Sequence, residues 1–446
     1  MIACGGRFDT SLERLENSAF HLQDMIHSDP RLAGQMKSVD DTLLDVREEE
    51  LSYIRKLSYF RHLESRGDSA WTMMGISVAK IGDNAPGFLE TAILTRDFQA
   101  TDGHDKIFAL WNLAKDKDGL DFKMDYSEPI PTSFTKFAAA WIRQHGSLDI
   151  IAASEPVPES RDFYANAPSW CPDWTVPAKT SCLLRRDTIP KRMMRIMDDL
   201  DGAVYSADGG MTLDKASNEP FFTFEGDALY CTGIILDNIA TFLGDLPAFP
   251  KDMQFPMGDP QTYFRYVTWM EKLDNFYKDS NVAIYEDPMQ AAKAMFHGDL
   301  PSAWPRREEN PGNCSETYPQ EKYVCKPELS RYVKFFAGSY SRLEARDHVK
   351  MVLRGRTLCV TEKGYMALAP SYVKNNVAEK PWLLAILATC SVPVLMQEND
   401  DGSYKICGTC FVQGWMEGEV LKDEMGVDSP ADFWSAMEGS SKLKIV

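Results

Sequence analysis

Apolar residues recur at three- and four-residue spacing through the first third of the chain and at two-residue spacing through the last, and this change of period sets the expected layout. Helical spacing runs over 38–60, 70–81, 102–113 and 132–145. It is broken at Asp125, Tyr126 and Ser127 and again in the proline-rich stretch 155–160. The run from Ala167 to Trp174 reads as a rigid aromatic loop in which Trp170 and Trp174 plug the join between subregions. Phe221 to Phe242 alternates like a hairpin, and helical spacing returns over 261–278, 288–296 and 327–345. Short strands are expected at 350–353, 357–361, 365–368, 382–388, 392–397 and 404–415, with turn chemistry at Gly355, Gly364 and Gly402. The expected class is α+β, a helical N-terminal half packed on a β-rich C-terminal part that forms a small barrel or sandwich. The expected regions are 1–155 (helical), 156–347 (mixed), 348–422 (β-rich) and 423–446 (a C-terminal tail), together making one globule.

Charge narrows the partners. Lys and Arg number 48 against 66 Asp and Glu, and a net charge of -18 argues against a general binder of nucleic acid or anionic membrane, so an anionic substrate would have to be caught locally. The N-terminus lacks a basic stretch followed by an apolar core, and the longest apolar run, 382–396, is interrupted by Thr389, Ser391 and Pro393. A cytoplasmic protein without a membrane span is expected. The ten cysteines are scattered from Cys4 to Cys410 and read as small buried hydrophobes. Cys407 and Cys410 form a CxxC in a strand-like run, where an offset of three puts the thiols on opposite faces and argues against a redox or metal role.

Two segments carry residue types suited to chemistry. Pro288 suits the first position of a helix and Asp287 its cap, which sets Met289 and Lys293 one turn apart on the same side, near the positive end of the dipole. By pattern alone Gln290, Lys293 and His297 make a polar stripe of the kind that faces solvent, and Met289 reads as core. On the preceding helix Asp274 shares a face with Tyr263, Val267, Met270 and Tyr277, a costly place for a carboxylate unless it is paired or metal-bound. Asp40, Asp41 and Asp45 read as a solvated helix start, and His104 beside Asp105 as a structural cap rather than an acid/base dyad. Strings for a P-loop, a dinucleotide fingerprint, HExxH or GxSxG do not occur.

Several strings, taken together, resemble fungal heterokaryon-incompatibility proteins in the part that follows their signature module. They are Ala100 to Leu110, Met124 to Ser127, Ala167 to Trp174, Gly355 to Tyr365 and Gly414 to Glu419. That module finds no counterpart in this chain, and His104 and Gln413 depart from the residues the family usually shows. The resemblance implies an inherited scaffold put to another use, or a regulatory interaction protein without catalysis.

The segment from Tyr285 to Asp299 resembles the diphosphate-binding stretch of the fungal humulene synthases of tropolone-sesquiterpenoid pathways, sesquiterpene cyclases that lack the sequence patterns of the ordinary all-α enzymes. The resemblance implies that Lys293 grips the diphosphate beside a magnesium cluster and that Met289 shapes the prenyl chain. Magnesium takes oxygen ligands, and Asp274, Asp279 and Asp299 are the nearby candidates. Trp269, Tyr277 and Phe296 are the candidate pocket walls, since a carbocation cascade needs a dry aromatic lining. The implied reaction is the magnesium-dependent cyclisation of farnesyl diphosphate to humulene. A metal-free polyketide cyclase or isomerase is a further alternative.

Overall fold

The computed structural model describes residues 87–184, 205–210, 221–245, 260–280, 284–296, 353–374, 380–425, 433–434, 437 and 442–446. The expected helices at 38–60, 70–81 and 327–345 lie outside the described residues, as do Asp40, Asp41 and Asp45. The chain divides into two compact units, Met1–Lys117 and Asp118–Val446. In the first, α1 (Phe88–Thr95) begins with the Phe88 N–H donating to Asp116 Oδ1 at 2.7 Å, and α2 spans only Asp105–Phe108, with turns after it in place of a longer helix.

The second unit opens on α3, Ile130–His145. Pro131 near its start needs no N–H donor there, and Gly146 at φ 62° ends it with its N–H on Ile142 O, so both boundaries follow from sequence. Its inward face is Phe134, Phe137, Ala138, Trp141 and Ile142 at helical spacing. A 3-10 helix at Asp149–Ala153 and a short helix α4, Arg161–Tyr164, lead to the aromatic loop, whose Trp170 and Trp174 are both fully buried, as a plug requires.

The class is α+β, with a β-rich C-terminal part. The strands are β1 (Phe222–Glu225), β2 (Ala228–Cys231), β3 (Gly233–Asp245), β4 (Arg356–Thr361), β5 (Met366–Pro370), β6 (Leu383–Leu387), β7 (Val394–Glu398), β8 (Tyr404–Thr409), β9 (Phe411–Val412) and β10 (Leu443–Ile445). Their order among the described residues is β1-β2-β10-β8-β7-β6-β3-β4-β5-β9. At two places the chain passes from one partner strand to another along its length. β3 bends at bulges, pairing with β6 through Asn238 and with β4 from Ile239. Cys410 alone separates β8, on β7, from β9, on β5. The circuit β3-β4-β5-β9/β8-β7-β6 therefore returns on itself as an antiparallel barrel, and β1, β2 and β10 extend it from β8. At the seam Gly408 has φ 120°, and a Cβ there would come within 2.6 Å of the Tyr372 hydroxyl, so glycine is required twice over.

Two expectations need correction here. Leu353 is helical rather than the end of a strand, and the expected tail contains β10, which is bound into the sheet between β2 and β8. Two helices complete the site region: α5 (Pro260–Asp279) and α6 (Pro288–Phe296) pack on each other, α5 also on β3 and α6 on β5. Two short helices, α7 (Ser371–Lys374) and α8 (Glu419–Met425), follow β5 and β9. No described helix is long and apolar enough to cross a membrane.

Candidate functional site

α6 starts at Pro288, as its sequence predicts, and the Asp287 carboxylate accepts the Met289 N–H at 2.9 Å. Met289 is half-buried on this first turn, while Ala292 and Met295 are fully buried. Lys293 and Phe296 lie on α6 and Asp299 beyond it; the side chains of the first two, and the whole of Asp299, fall outside the described residues.

On α5 the buried face is Trp269, Met270, Leu273 and Tyr277. Trp269 fits against the end of β3, where a Cβ on Gly244 would stand 3.7 Å from its indole nitrogen. Tyr277 donates its hydroxyl to Gly364 O at 2.7 Å in the β4–β5 turn, and burial pushes the phenol up, so it stays neutral. Both of these expected wall residues are thus inward and anchored.

The carboxylates are a different matter. Asp274 sits at the margin of the buried face with its carboxylate 2.8 Å from Lys278 Nζ, one turn on, so ion pairing meets the cost of its placement. Asp279 is exposed at the C-terminal end of α5, where the helix dipole disfavours further negative charge. Among the described residues no group of three or more His, Cys, Asp or Glu stands ready to hold a metal ion.

Sequence reasoning missed the residue that ties α6 to the barrel. Tyr285, three residues before α6, donates its hydroxyl to Gln413 O at 3.0 Å and accepts the Met366 N–H at 3.0 Å. Its ring contacts Tyr277 edge-on, with centroids 5.9 Å apart, and Tyr365 at 6.5 Å; Tyr365 in turn meets Trp415 at 5.4 Å. An aromatic ladder therefore runs from α5 across the segment before α6 to the turn after β9. Gln413 is one of the two departures noted in the sequence, and Tyr285 opens the segment that carries the second resemblance, so both lay in plain view.

No family model matches the chain. Nor does any curated protein or solved structure.

Two other constellations noted in the sequence are tied into their local surroundings. His104 Nδ1 lies 2.8 Å from Asp102 Oδ1, which also accepts the His104 N–H, so Asp102 anchors both its ring and its backbone. These bonds hold the Asp102 carboxyl below its usual range. Cys407 and Cys410 are free and buried, and burial pushes the Cys407 thiol up to about 12, far from the thiolate that redox or metal chemistry needs.

Proposed function

We propose that this protein cyclises an isoprenoid diphosphate, taking farnesyl diphosphate to humulene. The observation that supports the reading is the local fold of residues 285–296: the helix starts at Pro288 with Asp287 as cap, so Met289 and Lys293 are one helical turn apart along it. The aromatic ladder beside it supports a dry lining for cations. In the reaction the C1–O bond breaks, the electron pair leaves with diphosphate, and Lys293 offsets that negative charge. The allylic cation closes C1 onto C11 to an eleven-membered ring. A proton then passes from the cyclic cation to diphosphate, leaving the neutral triene.

The test is incubation of purified protein with farnesyl diphosphate, with magnesium or with EDTA, and analysis of an organic overlay by gas chromatography and mass spectrometry. A magnesium-dependent C15 hydrocarbon is expected. No product from farnesyl, geranyl or geranylgeranyl diphosphate would overturn the reading. Lys293→Ala is expected to lose at least about a hundredfold in turnover, the range for stripping a charge from an enclosed ion pair, with an unchanged circular dichroism spectrum. Near-normal activity in that variant would remove Lys293 from the mechanism.

A second reading, a regulatory or interaction protein of the incompatibility type, is favoured by one observation. A cleft of about 490 Å³ lies between α3 and the β1–β2 turn, with Trp170 and Phe224 as its aromatic wall and Arg143 stacked 4.7 Å over Phe224. The loop along its edge carries Met124 and Tyr126, the large apolar side chains most exposed among the described residues. This reading predicts no change in melting temperature on adding magnesium and a non-hydrolysable farnesyl thiodiphosphate, whereas the cyclase predicts a rise.

A further inference from the structure

The aromatic loop 167–174 makes bonds that a plug does not need. Trp170 donates its indole N–H to Asp227 O at 2.9 Å, which holds the β1–β2 turn. Ser169 is buried and serves β8 and β10 instead. Its N–H donates to Val446 O at 3.1 Å, its hydroxyl donates to the same oxygen, and its Oγ accepts the Ile406 N–H of β8 at 2.9 Å. Ser154 donates its hydroxyl to Ser169 O and so fixes the loop itself. With β2 on one side, β8 on the other and Ser169 at the end, residues 442–446 lie in a groove bounded on three sides.

The segment is held through its backbone along both edges. β10 runs antiparallel to β2, with Leu443 opposite Cys231, Lys444 opposite Tyr230 and Ile445 opposite Leu229, and parallel to β8, with Ile445 opposite Tyr404. One residue past the strand, Val446 N–H donates to Tyr404 O at 3.0 Å. Alternate side chains then read the groove. Ile445 is fully buried, and Leu443 on the same face is received where Gly233 leaves room, since a Cβ there would stand 3.1 Å from Leu443 Cδ1. Lys444, on the opposite face, has its ammonium 3.9 Å from the Asp401 carboxylate. Main-chain bonds that any extended chain can make are thus joined to two apolar sockets and an acidic contact that few sequences satisfy together, which is the physics of strand recognition.

We propose that β2, β8 and Ser169 form an acceptor groove for an extended strand, occupied by the chain's own residues 442–446 and able to take the same residues of a second copy. A strand supplied by a second copy makes the same contacts as the chain's own, so the groove does not distinguish the two by chemistry. Proximity decides between them. Residues 438–441 tether the strand to Met437, whose N–H is bonded to Phe433 O and Trp434 O, and so short a tether gives the chain's own strand a high effective concentration at the groove. Exchange between copies therefore follows whenever that strand is withdrawn from its own groove or prevented from reaching it.

Fluorescence anisotropy of a labelled peptide spanning residues 440–446 tests the groove on the full chain and on a chain shortened to end at Ser441. Saturable one-to-one binding to the shortened chain is expected, with binding to the full chain at least about tenfold weaker because its own strand competes. Ile445→Asp in the peptide is expected to abolish binding, and Ser169→Ala in the shortened chain to weaken it at least about fivefold through the lost hydrogen bond. Deletion of residues 438–441 from the full chain denies the strand its own groove and is expected to give a dimer in sedimentation velocity. Should the shortened chain not fold, the full chain with Ile445→Asp, which expels the strand in place, takes its position in the assay. If circular dichroism shows neither folded, the strand is part of the fold rather than an occupant and the proposal falls. It falls equally if the folded protein leaves the peptide unbound or binds the Ile445→Asp peptide as well as the native one, and a monomeric deletion variant overturns the second copy as occupant.

Discussion

Arg356 is fully buried at the start of β4. Its guanidinium donates to Thr409 O at 2.6 Å, Leu368 O at 3.3 Å and Ser181 O at 3.0 Å, so one planar fork gathers β5, β8 and the loop that precedes the barrel. Each of those carbonyls, stripped of its donor, would stay buried at a cost of about 1–3 kcal/mol. Arg356→Met, which keeps the stem, is expected to lower the unfolding free energy by about 3 kcal/mol at an unchanged denaturant slope, and Arg356→Lys by less because an ammonium reaches fewer acceptors. None of this was legible beforehand. An arginine next to a glycine turn looks like a solvated strand end, and only the closure of the barrel brings three carbonyls to it. Thr389 was opaque for a related reason, since positive φ is read from glycine or asparagine and nothing in a threonine announces it.

At the level of elements, legibility tracked local chemistry. α3, α5 and α6 were readable because caps, prolines and periodic apolar faces agree, and the glycines at 355, 364 and 402 marked turns that the structure bears out with positive φ. β10 was missed because three residues carry no period, and α2 was overestimated because its apolar spacing continues into non-helical turns. The switch of 404–412 from one partner strand to another depends on register, which a single sequence does not encode visibly. Tyr285 works at this scale: a single hydroxyl joins the approach to α6 with β5 and the end of β9. Tyr285→Phe keeps the ring contacts and strands the Met366 N–H, so a loss of about 1–2 kcal/mol is expected by chemical denaturation. If α6 carries the diphosphate site, the same change is expected to raise KM for farnesyl diphosphate more than it lowers kcat. An unchanged KM with the expected stability loss would make Tyr285 a purely structural tie.

For the whole molecule, two electrostatic effects act in the same direction and can be separated. The chain carries a net charge of -18, so self-repulsion grows as the last carboxyls ionise, and added salt screens it. Asp208 is buried, so salt reaches it weakly, yet its contribution is also lost as pH rises from 3.8 through about 7. Opposing both, Asp102, Asp125, Glu159 and Asp401 have carboxyls held below their usual range by hydrogen bonds. These stabilise above their unfolded values and are lost towards strong acid, and all four are exposed enough for water to blunt them. Thermal stability should therefore peak on the mildly acidic side, around pH 5–6, and decline towards pH 8.5. The rise of the Asp208 carboxyl from 3.8 to about 7 sets roughly 4 kcal/mol as the upper limit of its share. Melting temperatures measured across that range at low and high salt, in wild type and in Asp208→Asn, divide the two effects. Salt should recover one part of the decline in both proteins, and the substitution should recover a second part that salt leaves untouched. A decline abolished by salt alone would assign the whole effect to net charge and leave Asp208 silent in global stability.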